Sequence, residues 1–100
     1  MIPLIPIETS RKIADLCRNH RVRELSLFGS RARGDHSAES DYDFMVDFLP
    51  EAKIGLIEFS GMQIELEELV MSPVDLVTKD GLRPSIRQSV LSEAKVIYEA

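Results

Sequence analysis

One hundred residues, 44% of them hydrophobic and 29% charged, predict one ordered domain over residues 1–100 with a modest core. The formal net charge of −5 argues against direct nucleic-acid binding and against a membrane surface, since both favour a basic face. A single Cys17 excludes an internal disulfide and a cysteine-based zinc site, the opening MIPLIPIETS lacks the positive start of a signal peptide, and no apolar run nears the roughly 18 residues of a membrane span, so a reducing, cytoplasmic setting is expected.

Thr9 or Ser10 can cap a first helix, with Ile13, Leu16 and Cys17 recurring at helical spacing and Arg18, His20 and Arg21 closing it. Glu24 to Phe28 (ELSLF) predicts a short strand that Gly29 ends, and residues 30–40 read as a loop or short helical turn. Asp41 to Phe48 (DYDFMVDF) alternates. Tyr42, Phe44, Val46 and Phe48 share one face, and Asp41, Asp43, Met45 and Asp47 share the other. Residues 52–70 predict a helix through Leu56, Phe59, Met62, Leu66, Leu69 and Val70, weakened at Gly61 and broken at Ser72-Pro73. Val74 to Thr78 (VDLVT) predicts a third strand, and Pro84 starts a last helix that runs to about Leu91. Residues 94–98 (AKVIY) fit its final turn or an edge strand equally well. The order predicts an α/β (α+β) fold, a small mixed sheet with helices packed on one face.

Charge is segregated along the chain. Residues 1–33 sum to +4, residues 34–75 to −10 and residues 76–100 to +1. Glu65, Glu67 and Glu68 read as a solvated helix face, but Asp41 and Asp43 sit inside an apolar run and need another account.

Two features converge on a site. The first is Gly29-Ser30 directly after a strand, followed by Arg31-Ala32-Arg33-Gly34. A glycine lets backbone approach a phosphate closely, and the serine hydroxyl adds a donor. It is not a Walker A loop, because Asp35-His36 stand after Gly34 where Lys and Ser or Thr belong. Arg33-Gly34-Asp35 spells an adhesion tripeptide by chance. The second feature is Asp41-x-Asp43, two carboxylates roughly 6.5–7 Å apart along one strand face. Their repulsion is relieved by a divalent cation, and Mg²⁺ prefers carboxylate oxygens together with substrate phosphates. Asp75 lies mid-strand, opposite in direction to Val74 and Leu76. If both strands turn their apolar faces to the same helices, it joins the pair, and three carboxylates suit two metal ions and in-line phosphoryl or nucleotidyl displacement.

Gly29-Ser30, then Asp41-x-Asp43, with Arg-Ala-Arg-Gly between and Ser40 before the pair, resembles the nucleotidyltransferase signature of the DNA polymerase beta superfamily. The stretch FGSRARGDHSAESDYDFMVDF, with PVDLVT at residues 73–78, is similar to the minimal nucleotidyltransferase (MNT) proteins of prokaryotes over nearly the whole chain. The resemblance implies that fold, with Asp41 and Asp43 binding two Mg²⁺ ions. It implies that Asp75 completes one metal site and helps deprotonate the acceptor hydroxyl. Gly29 and Ser30 would hold the β- and γ-phosphates of ATP, and Arg31 or Arg33 would stabilise phosphate charge. AMP would pass to an acceptor with release of pyrophosphate. Members of this family commonly pair with a HEPN ribonuclease toxin and neutralise it by adenylylating a tyrosine. A chain this short has no second lobe to enclose a substrate, so a partner that completes the site, in a hetero-complex or a homodimer, fits the same reading.

Other residues have plainer roles. Tyr42 and Cys17 read as core, His20 as a helix C-terminal residue that favours the dipole, Asp47 as a solvated strand end, His36 as a loop residue and Tyr98 as packing or edge. The rival function is a non-catalytic antitoxin that neutralises a partner by contact. Transfer to a small molecule such as an aminoglycoside fits poorly without an enclosing domain.

Overall fold

The computed structural model describes residues 5–100. The elements are α1 (Ile7–Asn19), β1 (Val22–Phe28), α2 (Ser30–Arg33), β2 (Tyr42–Phe48), α3 (Leu56–Val70), β3 (Val74–Thr78), α4 (Pro84–Glu93) and β4 (Lys95–Glu99). The four strands form one mixed sheet in the order β3-β2-β1-β4. β1 runs antiparallel to both β2 and β4, while β2 and β3 run parallel.

The alternation of β2 decides the layering. Phe44 and Val46 are fully buried with Leu25, Leu27, Val74 and Leu76, and α1 and α3 close this face through Ile13, Leu16, Cys17, Met62 and Leu66. Burial pushes the Cys17 thiol up to about 12, so it behaves as a small core hydrophobe. The two longest helices thus share one face, as the apolar pattern implies. The opposite face carries a second, smaller cluster: Met45 of β2 is buried with Leu82 and with Val90 of α4, against Phe28 and Val77. The last helix therefore walls part of the face that bears the aspartates.

Several boundaries differ from those read in the sequence. α1 starts at Ile7 behind Pro6, with no side-chain cap, and Thr9 and Ser10 lie inside it. Buried Ile5 docks the chain just ahead, and Pro6 restricts the backbone before the first turn. α3 begins at Leu56 because Gly55 is extended at its N-cap. Residues 95–99 form the edge strand β4, in which Leu27 pairs Lys95 and Leu25 pairs Tyr98. His20 does more than end its helix: its Nδ1 lies 2.7 Å from Glu58 Oε2, which links α1 to α3.

Gly61 sits in mid-α3, and a Cβ there would meet nothing within 4 Å. Gly61→Ala is expected to add about 0.4–1 kcal/mol, mainly by restricting the unfolded chain. Urea unfolding should show a higher midpoint at unchanged slope.

Candidate active site

The site lies where β1 ends and β2 and β3 begin. Phe28 is the last residue of β1 and pairs Asp43, and Asp43 in turn pairs Asp75 across the parallel β2–β3 ladder. Register alone thus sets the glycine–serine turn, Asp43 and Asp75 side by side. Asp75 shares its face with Val77, which packs against the α4 cluster beside Met45, so both carboxylates project on the side opposite the main core. Asp41 stands exposed immediately before β2, Asp75 is exposed, and Asp43 is half-buried.

Gly29 is built into this corner by shape. Its φ of 75° and ψ of −159° are reserved for glycine, and a Cβ added to it would lie 2.2 Å from Asp43 Oδ2. The backbone then turns into α2, where the amides of Ala32 and Arg33 both bond Gly29 O at 3.1 Å. Gly34 closes the turn in the left-handed region, φ 86°. Ser30 follows Gly29 at the start of this turn, next to the carboxylate corner.

The two arginines are held by the protein. The Arg31 guanidinium lies over the Tyr42 ring, 4.1 Å from its centroid, and its Nε donates to Ser40 O at 3.0 Å. Tyr42 in turn stacks on Phe44. Arg31 thereby braces the segment that delivers Asp41, which gives Tyr42 a second task beyond core packing. Arg33 donates through Nε to Asp35 Oδ2 and through Nη1 to Glu93 Oε2, each at 3.0 Å. Glu93, the last residue of α4, has no counterpart in the motif reading. Its Oε1 accepts from Gly29 N–H at 3.0 Å across 64 positions of sequence, a separation that no local pattern reveals. His36 is exposed in the loop before Asp41.

Burial, then Asp75, then Asp41 push the Asp43 carboxyl above the ordinary aspartate range. The donor set suits a hard divalent cation: three carboxylates at one end of a sheet, beside backbone that leaves room because Gly29 has no Cβ. Among the described residues, no three His, Cys, Asp or Glu side chains are yet gathered tightly enough to enclose an ion.

Because the folded state raises the Asp43 pKa, it binds more protons than the unfolded chain in the window above the unfolded value, and stability falls as pH rises through it. Asp43→Asn should therefore raise the metal-free Tm at pH 7 by about 1–6 °C, from a like-charge pair worth about 0.2–1 kcal/mol. The gap should narrow as the pH is lowered through the raised pKa. Mg²⁺ should raise the wild-type Tm and leave the variant nearly unmoved. Differential scanning fluorimetry across pH, with and without Mg²⁺, checks all three.

Comparison with known proteins gives this corner its context. The nucleotidyltransferase domain family matches residues 10–97. The protein adenylyltransferase MntA of Thermococcus cleftensis is 42% identical over 77 residues, which is 77% of this chain and 74% of that protein. A candidate protein adenylyltransferase of Methanocaldococcus jannaschii is 36% identical over 87 residues, 87% of this chain and 91% of that one. Among solved structures, a candidate minimal nucleotidyltransferase superposes with a TM-score of 0.73 at 33% identity, covering 88% of each chain. A chain from a toxin–antitoxin complex with AMP-PNP also gives 0.73, at 26% identity over 91% of this chain and 73% of that one. With the match running from α1 to β4 and through every strand that carries the carboxylates, the chain belongs to the nucleotidyltransferase family, among its minimal members.

Proposed function

We propose that this chain is a cytoplasmic, Mg²⁺-dependent protein adenylyltransferase that moves AMP from ATP to a tyrosine hydroxyl of a HEPN ribonuclease toxin and so acts as its antitoxin. The observation that carries the reading is the contact of Gly29 with Asp43, with Asp75 directly across the ladder. It puts a backbone turn able to receive phosphate oxygens against carboxylates able to hold cations. The adenylyltransferase MntA among the relatives supports the reaction class, and the toxin–antitoxin complex with AMP-PNP supports both an ATP-like substrate and a toxin partner.

In this reading the Ser30 hydroxyl and Ser30 N–H orient the β- and γ-phosphates, on a turn whose close approach Gly29 allows. Two Mg²⁺ ions held by Asp41, Asp43 and Asp75 would offset the phosphate charge and polarise the α-phosphate. Asp75, exposed like Asp41, would help take the proton of the acceptor hydroxyl. The acceptor oxygen forms a bond to the α-phosphorus as the bond to the bridging oxygen breaks, and pyrophosphate leaves with that electron pair. Arg33 lies at the same turn and can add positive charge to the leaving group. Arg31 serves through the Ser40 segment that it braces.

The acceptor must come from outside. Leu56 and Ile57 of α3 are 81% and 91% exposed, and Ile64 and Met71 continue the exposed apolar residues along that helix and its cap. Such a face favours a protein partner over a small-molecule acceptor. It equally favours the second reading, in which contact alone neutralises the toxin.

With the purified toxin partner, α-labelled ATP should label the partner and γ-labelled ATP should not. Asp43→Asn should reduce the labelling by at least about 10³-fold, in keeping with loss of a metal-clamped transition state. Label from γ-ATP would mean kinase chemistry. Toxin neutralisation undiminished in Asp43→Asn would establish contact as the mechanism.

A further inference from the structure

We infer that Glu93 is a positioning residue for the phosphate-binding turn: its carboxylate clamps the Gly29 amide and the Arg33 guanidinium, fixing α2 against the aspartates. This rests on the nucleotidyltransferase reading above, and names a residue through which the far end of the chain controls that site.

The geometry is specific. One carboxylate oxygen accepts from Gly29 N–H and the other from Arg33 Nη1, both at 3.0 Å. Gly29 is the N-cap of α2 and Arg33 its last residue, so one side chain grips the short turn at both ends. A four-residue helix has almost no stability of its own. Glu93 can support it because its own position is doubly fixed. Val90, one turn earlier, is buried with Met45, and Lys95, two residues later, pairs Leu27 of β1. The Glu93 side chain is only 22% exposed, which strengthens both hydrogen bonds relative to a solvated pair.

The clamp also adds a charge that its arginine partner balances. Glu93 adds a negative charge beside a corner that already holds three aspartates, and it is among the groups that push the Asp43 carboxyl up. Arg33 offsets this by lowering it. The Glu93–Arg33 pair thus delivers an acceptor to Gly29 N–H while limiting the added field at Asp43.

Glu93→Gln keeps the shape and an acceptor oxygen for Gly29, but turns an amide N–H₂ toward Arg33, donor against donor. Glu93→Ala removes both jaws. The Kd for AMP-PNP with Mg²⁺, measured by calorimetry, should rise about threefold in Glu93→Gln and about tenfold in Glu93→Ala. Amide exchange at Gly29 in the nucleotide-free protein should accelerate in the alanine variant, while the core amides of β2 keep their protection. A folded Glu93→Gln with wild-type affinity and wild-type exchange at residues 29–33 would overturn the inference. If Glu93→Ala does not fold, the near-isosteric glutamine variant decides alone. Absence of AMP-PNP binding by the wild-type protein would overturn the nucleotidyltransferase reading and this inference with it, whereas failure of the clamp alone would leave wild-type binding intact.

Discussion

The Asp43 carboxylate lies against the backbone of Gly29, and only a residue without a Cβ can stand there. Much else in the molecule serves this approach. The β1–β2 ladder brings Phe28 opposite Asp43, so that the turn leaves the sheet beside the carboxylate. The parallel β2–β3 ladder brings Asp75 to the other side. The main core is what holds those registers, because a slip of one residue would send Phe44 and Val46 to the wrong face and the aspartates into the core. Packing thus enforces both the partial burial of Asp43 and its juxtaposition with like charges, and burial first, then Asp75 and Asp41, raise its pKa.

That juxtaposition makes chemical sense. A cluster of carboxylates that repel one another is poorly placed in a protein that binds nothing, and well placed where a cation and a polyphosphate arrive together. The arginines are arranged to match. Arg31 is spent on Tyr42 and Ser40, which stiffens the approach to Asp41, and Arg33 stays at the turn, balanced between Asp35 and Glu93. In the proposed reading, the exposed apolar residues of α3 would offer a surface for the protein that brings the acceptor hydroxyl.

Much of this was legible in the sequence, for identifiable reasons. The alternation of DYDFMVDF decides both the face of Phe44 and Val46 and the face of Asp43 and Met45, because period two admits no other arrangement. VDLVT carries the same logic to Asp75. What escaped was non-local. The start of α1 at Ile7 depends on Ile5 reaching the core, which no capping pattern encodes. Residues 95–99 are indistinguishable from a helical turn until β1 is there to pair with them. The layer that α4 forms over Met45 follows from that pairing, and so does the placement of Glu93 on Gly29. The placement of Arg31 was equally out of reach, since nothing in the sequence tells that the Tyr42 ring lies under its guanidinium.

The chemistry proposed for this corner depends on the contact between Gly29 and Asp43, and the most direct test compares two glycines of the same turn. Gly29 and Gly34 both have positive φ, but a Cβ on Gly34 meets nothing within 4 Å. The measurement is the initial rate of AMP transfer to the partner by Gly29→Ala and Gly34→Ala, each with its Tm. Both variants should carry a backbone penalty for alanine at positive φ, of order 1–3 kcal/mol and larger at Gly29, whose ψ of −159° lies outside the left-handed helical region. Only Gly29→Ala should lose transfer, by about 10²-fold or more, as expected for reacting groups displaced by about 1 Å. A folded Gly29→Ala that transfers AMP at the rate of Gly34→Ala would contradict the claim that this corner is where the chemistry occurs.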